Sequence, residues 1–395
     1  MTTKPTYTPA IRFPDFLNDG EWEVKRLGEI VTVNSGRDYK HLQSGDIPVY
    51  GTGGYMLSVN DKLSDIDAIG IGRKGTIDKP LYLKAPFWTV DTLFFLTTKE
   101  GYDLSFVFCL LQTVEWKKYS EQTGVPSLTR STIEKIEVLI PQLAEQRRIA
   151  ACLSALDEML AATNGKLEQL KAYKKGLMQQ LFANPMGGGK SLIINNLQIK
   201  KLRFPEFRNE KEWEEKKLGE VIKTISPTKK LQSGEYKAVG SFPIVDQSQN
   251  YICGYSDDVE AVVNTTSENL IVFGDHTCTL KFVDFPFIQG ADGIKIFKSS
   301  KLNEIDERFL YQVLLYNPIV SKEYKRHFSE LKELVVRYPK DMREQRKIAS
   351  CLSTMDDQIN AYTEKVGLLG QYKKGLMQRM FMGSVVETPY YDVST

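Results

Sequence analysis

Tyr173-Lys174-Lys175-Gly176-Leu177-Met178-Gln179 returns unchanged as Tyr372-Lys373-Lys374-Gly375-Leu376-Met377-Gln378, and each copy lies near the end of a long apolar repeat. In the first repeat Ile149, Leu153, Leu156, Leu160, Thr163, Leu167, Leu170, Lys174, Leu177 and Leu181 advance by alternating steps of four and three. Ile348, Leu352, Met355, Ile359, Tyr362, Val366, Leu369, Lys373, Leu376 and Met380 do the same. A sustained 3.5-residue period predicts a coiled-coil seam rather than one face of a globular helix. At ~1.5 Å per residue, a seam of about 33 residues runs roughly 50 Å, more than one domain needs for its own core. Pro141 near the first helical position and the Asp341 carboxylate as a cap predict the two starts, and Asn184-Pro185 and Gly383 the two stops.

The repeat extends beyond the helices. Arg12-Phe13-Pro14-Asp15-Phe16 returns as Arg203-Phe204-Pro205-Glu206-Phe207, and Trp22 to Glu29 as Trp213 to Glu220, both displaced by 191 residues (204 − 13). Glu145 to Ser154 returns as Glu344 to Ser353, displaced by 199 (345 − 146), so the second copy gains residues between its matching blocks. Between those blocks the contents differ. Ile69-Gly70-Ile71-Gly72-Arg73-Lys74-Gly75-Thr76 stands where the second copy has Ile271-Val272-Phe273-Gly274-Asp275-His276-Thr277. A kept frame with diverged contents favours two modules with separate targets over uniform drift.

These boundaries predict a first globular domain over 1–140, a long helix over 141–183, a Gly187-Gly188-Gly189 linker over 184–200, a second domain over 201–338, a second helix over 339–382 and a tail over 383–395. Short β-branched or aromatic runs at Ile30 to Val33, Leu93 to Thr98, Ile136 to Ile140, Leu270 to Phe273 and Gly293 to Phe297 predict strands. Phe106 to Leu111 and Phe309 to Leu315 read as short buried helices. The expected fold class is mixed α/β (α+β): two globular domains joined by two long helices paired as an antiparallel coiled coil, with internal pseudo-two-fold symmetry.

Composition narrows the function without choosing it. The 395 residues are 42% hydrophobic and 26% charged, enough for two or three cores and too apolar for disorder. Fifty-two Lys+Arg against 50 Asp+Glu leaves a net charge of +2, which neither demands nor excludes a nucleic-acid partner. Five cysteines with no Cys-x-x-Cys spacing argue against a disulfide framework or a zinc ribbon and fit a reducing, cytoplasmic setting. No signal-peptide pattern and no run of ~18 apolar residues is present, so neither export nor membrane insertion is expected. Two unlike heads on one spacer suit a DNA with two unlike half-sites.

From about Ile11 to Phe381 the chain resembles the specificity subunits of Type I restriction-modification systems. The resemblance rests on Trp22 to Glu29, Pro48-Val49-Tyr50-Gly51-Thr52-Gly53-Gly54, Ile71 to Thr76, and Pro126-Ser127-Leu128-Thr129 leading into Ile136 to Ile140. It continues through Pro141 to Ala150 and Lys174-Lys175-Gly176-Leu177-Met178. It implies a non-catalytic DNA reader, each target-recognition domain binding one half of an asymmetric bipartite sequence. The helices would set the gap and dock two methyltransferase subunits, with restriction-motor subunits joining the assembly. No cofactor is implied in this chain; S-adenosylmethionine, ATP and magnesium would belong to the partners, as would base flipping.

The candidate DNA contacts follow from loop chemistry. Gly72-Arg73-Lys74-Gly75 sets two cations between glycines, suited to a phosphate or, through Arg73, to guanine, or to a plain solvated turn. Thr76 closes that loop. Tyr50, Thr52 and Gly53 lie in a glycine-rich stretch that either approaches DNA or makes a β-turn. Thr89, Asp91 and Thr92, with Asp292 in the second copy, precede strands and either meet bases or cap turns. Ser127, Thr129 and Arg130, with Arg326 and His327 in the second copy, suit phosphates. Gln247, Asp275, His276, Thr277 and Lys281 complete the second domain, which lacks the Gly-Arg-Lys-Gly loop. Gln146, Arg147, Arg148, Lys174 and Lys175, with Gln345, Arg346, Lys347, Lys373 and Lys374, are the candidates for partner docking. Gly176 and Gly375, costly in a helix, predict close packing against another element, either the opposite domain or a methyltransferase.

Two other classes compete. A coiled-coil adaptor with two protein-binding heads has the same architecture and differs only in the head motifs. A free-standing nuclease finds weak support in Asp15 with Glu23-Val24-Lys25, whose flanking Phe and Trp read as packing anchors. Neither an Asn/Asp-Pro-Pro-aromatic motif nor a phosphate-binding loop occurs: Gly187-Gly188-Gly189-Lys190-Ser191 lacks the spacing. Three histidines supply no obvious catalytic or metal centre, and Cys278 beside His276 reads as core.

Overall fold

The computed structural model describes residues 9–120, 124–182, 202–227, 229–265, 269–291, 293–301, 304–320 and 326–381, and the backbone alone over 192–194 and 197–199. Apart from that backbone the expected linker lies outside the described residues, as do the tail, Asn184-Pro185 and Gly383. The chain forms two compact units: Met1–Gly165 with Thr363–Thr395, and Lys166–Tyr362. Each long helix therefore begins in one unit and ends in the other.

In the first unit, β1 (Glu23–Arg26) leads into the one-turn α1 (Leu27–Ile30), where the Glu29 carboxylate accepts from the Arg26 amide at 2.6 Å. There follow β2 (Val31–Ser35), β3 (Ser44–Gly51), β4 (Gly54–Val59), β5 (Ala68–Gly72), β6 (Leu81–Leu83), β7 (Trp88–Thr89) and β8 (Leu93–Thr98). Helices α2 (Leu104–Leu111) and α3 (Arg130–Lys135) and strand β9 (Glu137–Ile140) complete the domain before α4 (Leu143–Phe182). The Asp103 carboxylate caps α2, accepting from Phe106 N, and the Thr129 hydroxyl caps α3, accepting from Thr132 N. One sheet runs β2-β8-β5-β6, all antiparallel; a second runs β4-β3-β7, with β3 and β7 parallel; β1 pairs with β9. Every residue of β5, Ala-Ile-Gly-Ile-Gly, is buried, as an interior strand covered on both faces must be.

The second unit repeats the plan. After the ribbon β10 (Leu192–Ile194) and β11 (Leu197–Ile199) come β12 (Glu214–Lys217), α5 (Leu218–Val221), β13 (Ile222–Ile225), β14 (Phe242–Val245), β15 (Gly254–Ser256), β16 (Val262–Val263), β17 (Leu270–Gly274), β18 (Leu280–Val283), β19 (Phe287–Gln289) and β20 (Ile294–Ser299). Helices α6 (Glu307–Tyr316) and α7 (Phe328–Glu333), strand β21 (Val335–Tyr338) and α8 (Met342–Met380) follow. The sheets are β13-β20-β17-β18 and β15-β14-β19-β16, with β12 on β21. Ile222 pairs with Ser299 as Val31 pairs with Thr98, so the frame is kept in register. One hairpin is rebuilt: Thr52-Gly53 joins β3 to β4, whereas residues 246–253 join β14 to β15.

The helix ends do more than continue a seam. Met380 and Phe381 are buried in the first core with Trp22 and Phe106, the Phe106 and Phe381 rings 5.6 Å apart. Met178, Leu181 and Phe182 enter the second core, Phe182 lying 6.4 Å from Trp213 and 5.9 Å from Phe309. In each unit the start of one long helix thus packs against the end of the other, which is the antiparallel arrangement. The two cations that interrupt the seam are paired within it: Lys373 donates to Asp157 at 2.5 Å in the first unit, and the buried Lys174 to Asp356 at 2.5 Å in the second. Both pairs share one register, separated by 17 residues on either helix (174 − 157; 373 − 356). Thr163, also on the seam, is buried and donates to the Met159 carbonyl at 2.7 Å.

Among the described residues a Cβ at Gly176 or Gly375 would meet nothing within 4 Å, so close packing within the chain is not the reason for a glycine there. Gly176→Ala and Gly375→Ala should each stabilise the helix by up to ~1 kcal/mol, read as a higher midpoint in chemical denaturation. A loss of stability would show that the backbone freedom of these glycines is used.

Candidate nucleic-acid interface

β5 ends at Gly72, where a Cβ would lie 2.0 Å from the Thr76 carbonyl oxygen, so only glycine lets the chain fold back over residues 72–76. Gly75, at φ +89°, supplies the left-handed residue of that turn. The loop is stitched on both sides: Arg73 N donates to Thr92 O at 2.8 Å, Leu128 N to Arg73 O at 2.9 Å and Gly75 N to Pro126 O at 2.9 Å. Lys74 and Ser127 form an isolated antiparallel bridge. Arg73 and Lys74 are exposed, with the Arg73 guanidinium 5.7 Å over the Phe94 ring, and neither forms an ion pair among the described residues. Two cations thus stand open to solvent on a loop held on both sides.

A second group of loops meets the first at Thr92. Arg37 N donates to Thr89 O at 2.8 Å, the Trp88 indole to Arg37 O at 2.9 Å, and Val90 N to Tyr50 O at 3.0 Å. They enclose a cleft of about 730 Å³ whose walls include Asp38, Lys40, Thr52, Gly53, Tyr55 and Asp91, with Thr92 at its edge. The Tyr50 and Tyr55 rings stand edge to face at 6.5 Å. Tyr50, Thr52, Gly53, Arg73, Lys74, Gly75, Asp91, Thr92 and Ser127 are therefore gathered by one set of loop contacts. Thr89 is not: it is fully buried, its hydroxyl finding no partner among the described residues, so the expectation that it contacts DNA is corrected to a role inside the sheet. Thr129 is occupied as the α3 cap, and Arg130 pairs with Glu134 at 3.7 Å along the same helix.

The second unit gathers the equivalent loops with other side chains. Thr277 donates from its hydroxyl to Gln247 O at 2.8 Å, and Gly274 sits where a Cβ would come 2.9 Å from the Gln247 Cβ. Asp275, His327 and Lys281 face inward, which corrects their assignment as contacts. The Asp275 carboxylate accepts from Phe328 N at 2.8 Å and its carbonyl from His327 N at 2.8 Å. His327 is fully buried, with Nδ1 3.4 Å from Glu330. Lys281, only 3% exposed, donates to the carbonyls of Asp246 (2.7 Å) and Asn250 (2.5 Å), and burial holds its ammonium pKa below the usual lysine range. Thr277 and Arg326 are exposed and His276 half-buried. Asp292 lies outside the described residues.

The docking candidates divide in the same way. Gln146 and Gln345 are buried clamps: Gln146 accepts from Asp103 N at 2.9 Å and donates to Pro141 O at 2.8 Å, and Gln345 accepts from Asp306 N at 2.8 Å and donates to Pro339 O at 2.7 Å. Each ties the start of a long helix to the N-cap of an earlier short one, Asp103 of α2 or Asp306 of α6, which corrects their expected place on a partner face. Lys174 and Lys373 are spent on the seam pairs. Arg148 lies 5.3 Å over Phe13, Lys347 pairs with Glu206 above Phe204, and Arg346 lies 3.7 Å from Asp306. Arg147, Lys175 and Lys374 remain exposed. The cleft also takes in Asp38, Lys40 and Tyr55, which sequence reasoning did not single out, although basic and aromatic residues interleave after Gly36.

The family described as the Type I restriction modification DNA specificity domain matches this chain twice, over residues 19–172 and 210–367. A Type I restriction enzyme MjaVIII specificity subunit of Methanocaldococcus jannaschii is 26% identical over 312 residues, 68% of this chain and 67% of that protein. The EcoR124I/EcoR124II specificity subunit of Escherichia coli is 27% identical over 95 residues, 24% of either chain. The crystal structure of the S subunit of a Type I restriction-modification system from M. genitalium shares the fold, with a TM-score of 0.71 at 17% identity, covering 95% of this chain and 99% of that one.

Proposed function

The chain belongs to the family of Type I restriction-modification DNA specificity domains, and from that premise we propose that its two units each read one half of an asymmetric, bipartite DNA sequence. The observation that carries this reading is one loop cluster built twice on one sheet frame with different chemistry: an exposed Arg73-Lys74 pair in the first, Gln247 and Thr277 in the second. The long helices set the gap and, with the exposed Arg147, Lys175 and Lys374, offer surface to methyltransferase subunits. Chemistry belongs to those partners, which bind S-adenosylmethionine, while restriction subunits use ATP and magnesium. Among the described residues no helix is long and apolar enough to cross a membrane, and no cluster of three or more His, Cys, Asp or Glu is placed to hold a metal.

A random-library DNA selection with the chain co-purified with methyltransferase subunits, at stated salt, tests this. A split motif with an undefined centre is expected; a stable complex that enriches no motif would favour the adaptor reading. Arg73→Ala should weaken binding by ~1–3 kcal/mol and relax one position of the first half only. Lys74→Ala should weaken all sequences alike and reduce the salt slope by about one. An Arg73→Ala protein with unaltered affinity and preference would remove Arg73 from the interface.

A further inference from the structure

We propose that residues 246–250, Asp-Gln-Ser-Gln-Asn, form the base-reading loop of the second unit, with Gln249 as a specificity-determining residue for adenine and Lys281 as the positioning residue beneath it. This rests on the reading of the second unit as a DNA reader and assigns the contact within it.

The loop lies at a connection that the two units build differently. In the first, β3 and β4 close through Thr52-Gly53 at the cleft; in the second, β14 and β15, the matching strands, diverge into residues 246–253. A long connection carrying Gln, Ser, Gln and Asn has no net attraction for phosphate from its amide side chains, but those amides match base edges, and a Gln amide bonds adenine through N6 and N7 together.

The loop is also held in shape from below, as a reading element must be. The Lys281 ammonium is buried under it and donates to the carbonyls at both ends, Asp246 at 2.7 Å and Asn250 at 2.5 Å, with the Asp246 carboxylate 3.9 Å away. A buried ammonium is costly unless its donors are satisfied, so this placement is informative about what the lysine is for. Asp246 also accepts from Ser248 N at 2.8 Å, Thr277 donates to Gln247 O at 2.8 Å, and Gly293 leaves 2.9 Å between a would-be Cβ and the Gln247 amide. Above these anchors Gln249 and Asn250 are exposed, and among the described residues Gln249 is held by a single 3.3 Å bond to the Thr279 hydroxyl.

The test is the random-library selection on the full chain in complex with its methyltransferase subunits. Gln249→Ala should lose roughly ten- to hundredfold preference at one adenine of the second half, with the first half unchanged as an internal control. Gln249→Glu should move that position toward cytosine, whose amino group a carboxylate accepts. Lys281→Met, which keeps the alkyl volume and removes the donors, should blur the same position; a purely structural lysine would lower the melting temperature without moving base preference in the folded fraction. Both Gln249 substitutions alter an exposed side chain, so they decide the matter whatever Lys281→Met does to folding. A second half unchanged in both would overturn the loop assignment while the split motif of the unmodified protein upheld the two-reader function. An unmodified complex that selected no motif would overturn both.

Discussion

Glu145→Ala should lower the stability of the first unit by ~3–5 kcal/mol, because it leaves the Arg12 guanidinium buried without its counter-charge. The pair is bidentate, Nε to Oε1 at 2.8 Å and Nη2 to Oε2 at 2.7 Å, with the side chains 8% and 1% exposed. A guanidinium keeps its proton at any ordinary pH, so Arg12 cannot escape the loss by becoming neutral. The pair also fixes position: it ties the N-terminal segment to the first turn of α4, and Arg12 further donates to Gly20 O at 2.9 Å. The second unit repeats the device with Arg203 and Glu344, both bonds at 2.7 Å. Removing both charges with Arg12→Met and Glu145→Leu should recover most of the loss, since an apolar replacement of a buried pair is often neutral or better. A two-unit chain does not unfold in two states, so the readout is amide exchange, resolved by unit. A loss below ~1 kcal/mol would place this pair with exposed ones and refute the anchoring role.

That pair explains a motif whose meaning was illegible in sequence. Arg-Phe-Pro-Asp/Glu-Phe is visibly repeated, but nothing local says that its arginine reaches a glutamate 133 residues away. Helix periodicity, by contrast, is a local property, and it located α4 and α8 because seam residues recur whatever they pack against. Polar loop residues were harder to orient, since burial is decided by distant partners. Asp275 faces inward because Phe328 N needs an acceptor, and Lys281 because two loop carbonyls do. One clue lay in β18, where Lys281 shares a face with the fully buried Val283, but the alternate residues Leu280 and Phe282 are apolar too, so alternation alone could not choose. Arg73 was easier: flanking glycines announced a tight turn, and a tight turn with two cations stays at the surface. Phe182 and Phe381 show the opposite case. Each lies at the end of a seam, and which core it enters is settled only by the antiparallel pairing.

If the helices are the ruler, removing residues 161–167 together with 363–369 should shorten the preferred gap between the half-sites. Both deletions take one heptad and fall between the Asp157–Lys373 and Lys174–Asp356 pairs, so the seam phase and both ion pairs survive. Seven residues at ~1.5 Å each remove roughly 10 Å of helix, close to three base pairs at about 3.4 Å each. The shift carries a rotational penalty: three base pairs turn the duplex by roughly a hundred degrees at ~10.5 pairs per turn, while a heptad returns the coiled coil nearly to its starting phase. Binding to the original site should therefore fall by about two orders of magnitude or more, since mismatched pairs cost ~1–3 kcal/mol each and a displaced reader mismatches several. The best selected site should have a shorter gap and still bind more weakly than the parent complex on its own site. Deleting the heptad from one helix alone breaks the register of both ion pairs and should cost folding instead, separating a ruler from a mere scaffold. An unchanged gap in the doubly shortened, folded protein would mean that the spacing is set by the partner subunits and not by these helices.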